Sequence, residues 1–447
     1  MILALGAAFC IGVALEVSPL NGLGRFTSWT WLWRDLGILK TGGLLILPIA
    51  MIGWVSLRID KKLAQTPLSL ILVILALSCF LMQVLGMQAD PHGLGLIGQI
   101  VASPTATSYF TDATKIEKPL EWLANFHTAG LSLHSSTHPP GPILFYFVFL
   151  KMFGAVKGAW IGGCVVGIIA SAGVLVMYQF AGLWIPDRKT RLIISSFYAM
   201  LPATVLFFPE FDQVYPILSM LLILFWVRVL RVPRPSYLSA FYFGVTLFVA
   251  TFFAYNLLTV GIFLISFAAY WLWRENWAQA ALTTLVKASS IALATCVSLH
   301  AVIWFATGYH AISSFRHALS VQNASGINLK RHYLAFVVLD PYDFFLGAGI
   351  IALPILLFHL ERSLKQISRD RFDIALTLIG LSTILMVDLS GLLRGEVTRV
   401  WIFLQPLLAV PVGLELSRYP RRWRLAVFAM QWAIIVCLKA KMTFLYP

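Results

Sequence analysis

Glu210-Phe211-Asp212 places two carboxylates two residues apart in a short polar turn between two apolar runs. Two acids so close can do two kinds of chemistry. One can take a proton while the other orients it, or both can hold a divalent cation such as Mg or Mn. In an extended turn the side chains at i and i+2 point the same way, which favours joint action. The plain alternative is a polar cap on a loop, yet a short turn between membrane spans does not need two acids for that.

A second charged group lies late in the chain. The stretch Asp388-Leu389-Ser390-Gly391-Leu392-Leu393-Arg394-Gly395-Glu396-Val397-Thr398-Arg399-Val400-Trp401 is dense in charge at the edge of an apolar run. Ionisable groups at a membrane boundary usually pair or meet a charged ligand. Arg394 and Arg399 carry planar forks suited to a phosphate, and Glu396 or Asp388 can pair with them internally. One side chain can do both, because a guanidinium has donors to spare.

A third set sits in the polar segment 89–140. Asp90 opens it directly after an apolar run, and Asp112, Glu117 and Glu121 follow. The segment ends in Ser135-Ser136-Thr137-His138-Pro139-Pro140-Gly141-Pro142. Two prolines flanking a glycine forbid a helix across them and allow one to begin just after. His138 therefore stands at a rigid corner where a polar loop re-enters an apolar layer. Residues 308–340 add His310, Arg316, His317, Lys330, Arg331 and His332 as a basic rim or an exposed loop.

These groups need elements to carry them. The chain has 447 residues, of which 59% are hydrophobic and only 12% charged. A soluble domain carries about 25% charged residues. Apolar runs of about 20 residues recur along the whole length, which predicts an all-α polytopic transmembrane bundle and excludes a β-barrel, whose segments are short and alternating. The candidate spans are 1–18, 38–57, 67–88, 158–184, 190–207, 213–230, 236–254, 256–273, 284–307, 341–360, 372–392, 398–416 and 424–444, about 13 by length. The N-terminal run lacks a basic flank and a small-residue cleavage site, so it reads as a first span and not as a signal peptide. Residues 141–154 are apolar but short and contain Lys151, which predicts an interfacial helix. The alternation in 107–126 predicts another, with Phe110, Ile116, Leu120, Trp122 and Leu123 toward lipid.

The formal net charge is +14. Its Lys and Arg sit mostly in short loops with no basic face of interleaved aromatics, so they report topology and anionic lipid contact, not nucleic acid. Basic loops at Arg58-Lys62, Arg188-Arg191, Arg228-Arg234, Arg362-Arg371 and Arg418-Arg424 fall on one side, the cytoplasmic one by the positive-inside rule. Arg25, Arg34, Lys40, Lys439 and Lys441 run against it. The loops 89–157 and 308–340 and the turns at 208–213 and 393–396 then share the outer face, around one polar cavity. Cys10, Cys79, Cys164, Cys296 and Cys437 all lie in apolar runs and read as small core residues.

A first outer loop with amphipathic helices, ending in His138-Pro139-Pro140 and an interfacial apolar helix, resembles the GT-C class of integral-membrane glycosyltransferases, the dolichyl-phosphate-mannose mannosyltransferases among them. The resemblance covers about residues 67–416, at motif level. It implies a single membrane domain with two additional N-terminal spans in 1–66, a core in 67–416 with outer loop 89–157, and a C-terminal span in 417–447. It also implies a hexosyl- or pentosyltransferase, inverting, that moves a sugar from a polyprenyl-phosphate donor to a hydroxyl of a glycan, lipid or protein on the extracytoplasmic face of a bacterial inner or plasma membrane. Glu210 and Asp212 fall where such enzymes carry an acidic pair. Arg394-Gly395-Glu396 and Arg399 resemble the late segment that contacts the lipid-linked phosphate, with His138 beside it. The acidic pair that family members carry upstream of a tyrosine is missing, since Pro104-Thr105-Ala106-Thr107 holds no acid. The base is then Asp212, Glu210, Asp90 or Asp112. A transporter or flippase of lipid-linked glycans is the competing class. It predicts repeated halves and charges along midplane spans, and neither pattern is evident.

Overall fold

The computed structural model describes residues 1–17, 32–61, 63–231, 236–325, 331–367 and 371–445. Arg25, Lys62, Arg234, Lys330 and Arg369 of the charge pattern lie outside the described residues.

Among the described residues, seven helices are long and apolar enough to cross a membrane: Leu68–Gln88, Gly141–Ala181, Phe211–Arg231, Tyr255–Arg274, Gln279–Thr307, Phe372–Ser390 and Arg421–Lys441. Two bent pairs raise this to nine if each counts as one span, Ile38–Leu44 with Ile46–Asp60 at 50° and Tyr333–Ala348 with Ala352–Leu364 at 102°. Ile2–Ala14, Tyr237–Phe253 and Ile402–Ser417 are apolar but shorter. The chain is thus an all-α, multi-pass membrane protein, and the expected count of about 13 spans is not confirmed.

The difference has local causes. The run 190–207 is broken: one helix, Arg188–Tyr198, ends before Leu201 takes an extended conformation ahead of Pro202, and Pro202–Leu206 forms a separate turn of helix. Proline disfavours helix at the residue before it. Residues 192–208 are buried throughout, so this stretch is apolar because it faces protein. The run 341–360 is an elbow. Pro341 lies inside its first arm, and Gly349 at the bend has φ 85°. The Gln431 amide fills the elbow, donating to Ala348 O at 2.6 Å and Met200 O at 3.1 Å. A Cβ on Gly349 would lie 2.2 Å from Gln431 Oε1, so the bend accepts only glycine.

The stretch after the proline corner is a helical hairpin. Helical torsions run from Gly141 to Ala181 except at Gly154, with φ 75° and ψ 176°. A straight helix would separate residues 146 and 162 by about 24 Å. Instead a Cβ on Gly162 would lie 3.0 Å from the Tyr146 ring, and one on Gly158 2.7 Å from Phe149 O. The first leg therefore folds back on the second and is not the start of one long span. The tip exposes Met152, Phe153 and Val156. The segment 107–126 also differs from one amphipathic helix: it forms Tyr109–Ala113 and Pro119–Ala124, and Phe110, Ile116 and Leu123 are buried in protein, while Leu120 is exposed.

Ion pairs tie the basic loops together. Asp60 holds Lys189 at 2.8 Å and also Arg424, and Glu415 holds Arg362 at 3.3 Å and Arg418 at 3.4 Å. The helix Phe211–Arg231 runs from the acidic turn to this basic end, where Arg231 donates to Leu183 O at 2.6 Å. Its 21 residues span about 30 Å, so the acidic turn and the basic loops occupy opposite ends of the bundle.

Candidate active site

Glu210 caps a 3-10 turn, Phe211–Val214, that leads directly into the helix Tyr215–Arg231. The turn is tighter than an extended strand, yet both acids reach one guanidinium. Arg399 Nη1 donates to Glu210 Oε2 at 2.9 Å, and Arg399 Nε lies 3.8 Å from Asp212 Oδ2. Arg399 Nη2 meets Glu396 Oε2 at 2.8 Å. The arginine comes from the short helix Val397–Val400, which packs beneath the elbow arm Tyr333–Ala348.

The acids differ in how far they are used. Glu210 is 1% exposed, with Oε2 on Arg399 and Oε1 without a partner. The Asp212 carboxylate accepts no hydrogen bond among the described residues, and its nearest charge is the 3.8 Å contact to Arg399. Burial raises the Glu210 pKa above the ordinary carboxylate range; Arg399 opposes this and Asp212 reinforces it. Glu396 moves the other way, lowered chiefly by Arg399 and further by Arg331.

Arg394 stands at the rim. Its Nε donates to Gly391 O at 2.8 Å and its Nη1 to Arg331 O at 2.7 Å, while Arg331 donates back to Arg394 O and to Glu396 at 3.2 Å. Arg394 Nη2 has no protein hydrogen-bond partner among the described residues. Through Arg331, Glu396 and Arg399, Arg394 thus joins Glu210 and Asp212 in one contiguous set of three basic and three acidic side chains.

His138 lies on the other side of the acidic turn. Its Nδ1 donates to His134 O at 2.8 Å, and its ring stacks on His134 at 4.5 Å. Tyr109 bridges to the turn: its hydroxyl pairs with His134 Nε2 at 3.1 Å, and its ring meets His138 at 5.6 Å and Phe211 at 6.5 Å. Burial holds the His138 pKa down to about 4, so near neutral pH it is an uncharged ring.

Asp90 and Asp112 are placed elsewhere. Asp90 pairs with Arg34 at 3.3 Å and His92 at 3.0 Å. Burial alone would raise its pKa, but the His92 hydrogen bonds and Arg34 bring it below the usual value. Asp112 accepts from Ser132 N at 3.1 Å, Ser132 Oγ at 3.0 Å and Lys115 Nζ at 2.6 Å, fastening one turn of the loop to another. Neither shares a contact with Arg399.

The sequence pattern did not single out Tyr109, His134, Asp340 or Asp343 at this site. The last two sit at i and i+3 on the elbow arm beside Pro341, just where an apolar run begins. Paired aspartates at such an edge are a readable signal.

No family model matches the sequence, and no curated protein matches it. Solved structures do. ArnT from Cupriavidus metallidurans in the apo state superposes with a TM-score of 0.50 at 14% identity, over 81% of this chain and 62% of that one. The same protein bound to undecaprenyl phosphate gives a TM-score of 0.52 at 15% identity over the same shares. The fold is GT-C-like. This GT-C-like chain spans 62% of the length of the ArnT structures.

A divalent cation does not fit the acidic pair as it stands. The Arg399 guanidinium occupies the space where both carboxylates would meet a metal, and no three His, Cys, Asp or Glu side chains converge among the described residues.

Proposed function

We propose that this GT-C-like membrane protein is a glycosyltransferase that moves a sugar from a polyprenyl-phosphate donor to an acceptor hydroxyl, on the extracytoplasmic face. The observation that carries this reading is the meeting of Arg399 with Glu210 and Asp212 across the bundle. It puts a phosphate-binding group beside a buried, little-used carboxylate. The fold supports it, because a solved structure of the same fold holds undecaprenyl phosphate. The placement of the site opposite the basic loops supports the outward orientation.

In the reaction, Asp212 takes the proton from the acceptor hydroxyl. The oxygen attacks the anomeric carbon, and the bond from that carbon to the phosphate oxygen breaks. Its electron pair stays on the polyprenyl phosphate, and the proton stays on Asp212. One displacement inverts the anomeric centre. Arg399 Nε and Arg394 Nη2 are the donors left over for the phosphate oxygens, and they stabilise the charge that builds there. Glu210 and Glu396 hold the Arg399 fork in place. His138, being uncharged, contributes an imidazole and the rigid corner. A metal-assisted version requires Arg399 to move away from the pair.

The test is transfer of labelled sugar from polyprenyl-phosphate donors to membrane acceptors by purified protein in liposomes. Transfer that disappears in Asp212→Asn supports the assignment; full transfer by a folded Asp212→Asn protein contradicts it.

A further inference from the structure

Two carboxylates near the site touch neither Arg399 nor its acids. Asp340 and Asp343 lie three residues apart on the arm Tyr333–Ala348, at 2% and 3% exposure. One helical turn puts both on one face. Opposite them are two backbone amides, also three residues apart. Gly395 N donates to Asp340 Oδ1 at 3.1 Å, and Thr398 N donates to Asp343 Oδ2 at 3.1 Å. The Thr398 hydroxyl donates as well, to Asp343 O at 2.6 Å and to Asp343 Oδ1.

Arg331 ties the same segment from the side, through Arg394 O and Glu396, but its backbone amides at Gly395 and Thr398 are held by the two aspartates. Gly395 has φ 76° and Glu396 has φ 54°, both left-handed, and the helix after them is one turn long. Left-handed torsions in a residue with a Cβ persist only where the surroundings enforce them. The same residues carry the site: Arg394 precedes the first anchored amide, Glu396 lies between the two, and Arg399 follows the second. Burying two carboxylates in an apolar arm is unfavourable unless hydrogen bonds compensate. Here the compensating donors are amides of the arginine segment.

We infer that Asp340 and Asp343 are positioning residues that fix the segment 394–399, so that Arg394 and Arg399 present their free N–H groups to the donor's phosphate. The inference rests on the transferase reading above and adds to it the group that aims the arginines. The arm itself is aimed by the elbow at Gly349, which Gln431 fills. Gln405 Nε2 also donates to Phe344 O at 3.0 Å, fastening the arm to the helix that follows the segment. Asp343 is the stronger anchor: its carboxylate accepts from both the amide and the hydroxyl of Thr398, against one amide for Asp340.

The experiment uses full-length protein in nanodiscs, with Asp343→Ala, Asp343→Asn, Thr398→Val and Asp340→Asn. Amide hydrogen exchange is read over 394–400. The affinity for undecaprenyl phosphate is read by native mass spectrometry, and KM and kcat by sugar transfer. Asp343→Ala is expected to speed exchange at Thr398 at least tenfold, and to weaken undecaprenyl phosphate and raise the donor KM by a similar factor, with a smaller change in kcat. Asn keeps one acceptor oxygen, so Asp343→Asn is expected to recover most of the affinity. Unchanged exchange at Thr398, or unchanged donor KM and lipid affinity once exchange has risen, overturns the inference while the transferase reading stands. Wild-type protein that neither binds the lipid nor transfers sugar overturns the transferase reading, and with it the ligand named here.

Discussion

Arg399 Nη1 and Glu210 Oε2 stand 2.9 Å apart, although 189 residues of chain separate them. No local turn or helix brings them together. The early acidic turn and the late arginine segment meet because the helix Phe211–Arg231 and the elbow arm Tyr333–Ala348 place their ends at one end of the bundle. The pair is buried, and a buried ion pair is costly to break from one side only.

If Asp212 is the base, removing its charge leaves donor binding in place and slows the chemical step. Asp212→Asn is expected to reduce kcat about 10²–10⁴-fold, the usual range for a general base, with little change in donor KM. Glu210→Gln is expected to cost less, because Glu210 acts on the substrate only through Arg399. Steady-state kinetics on both variants separates the two roles.

Asp112 has a structural role. Asp112→Ala removes three hydrogen bonds to Ser132 and Lys115 and leaves the Ser132 amide unmatched, a loss of about 1–3 kcal/mol. Thermal unfolding in detergent is expected to shift down while kcat of the folded fraction holds. Asp90→Asn loosens the tie to Arg34 and is expected to leave kcat near wild type.

His138 sets a pH dependence of stability. Its folded pKa of about 4 lies below the ordinary histidine value of 6.5. Between those values the unfolded chain binds a proton that the folded chain does not, so stability falls as pH drops through that window and is fully present above it. With discounting for partial exposure, the loss from pH 7 to pH 4.5 is on the order of 1–2 kcal/mol. Melting temperatures of wild type and His138→Gln, measured across that range, are expected to converge toward acid.

The hairpin at Gly154 depends on small residues. Gly154→Ala forces a side chain into torsions (φ 75°, ψ 176°) that essentially only glycine adopts, at a cost of about 1–3 kcal/mol. Gly158→Val adds a Cβ 2.7 Å from Phe149 O and pushes the legs apart. Both variants are expected to melt earlier, Gly158→Val more so, and to disturb the corner at His138. The measurement is a thermal scan with sugar transfer followed on the surviving protein.

Much of this was legible in the sequence. Apolar runs marked the membrane bundle, the basic loops gathered at one end, and Glu210, Asp212 and Arg399 stood out as costly charges at a boundary. The residues that aim them were harder to read. Asp340 and Asp343 sit at the start of an apolar run whose length suggested a span, and only Pro341 and Gly349 hinted at a broken one. The run 190–207 looked like lipid-facing helix because hydropathy does not distinguish burial in protein from burial in lipid. Asp90 and Asp112 had the chemistry of a base, but their hydrogen bonds are set by Arg34, His92 and Ser132, which no local pattern reveals.

The most direct test of the account is the affinity of the purified protein for undecaprenyl phosphate, compared among wild type, Arg399→Lys and Asp212→Asn. Lysine keeps a charge beside Glu210 but loses the planar fork. The account predicts that wild type binds, that Arg399→Lys binds at least about tenfold more weakly, a difference of 1.4 kcal/mol, and that Asp212→Asn binds like wild type yet transfers no sugar. Equal binding by folded Arg399→Lys and wild type would contradict it.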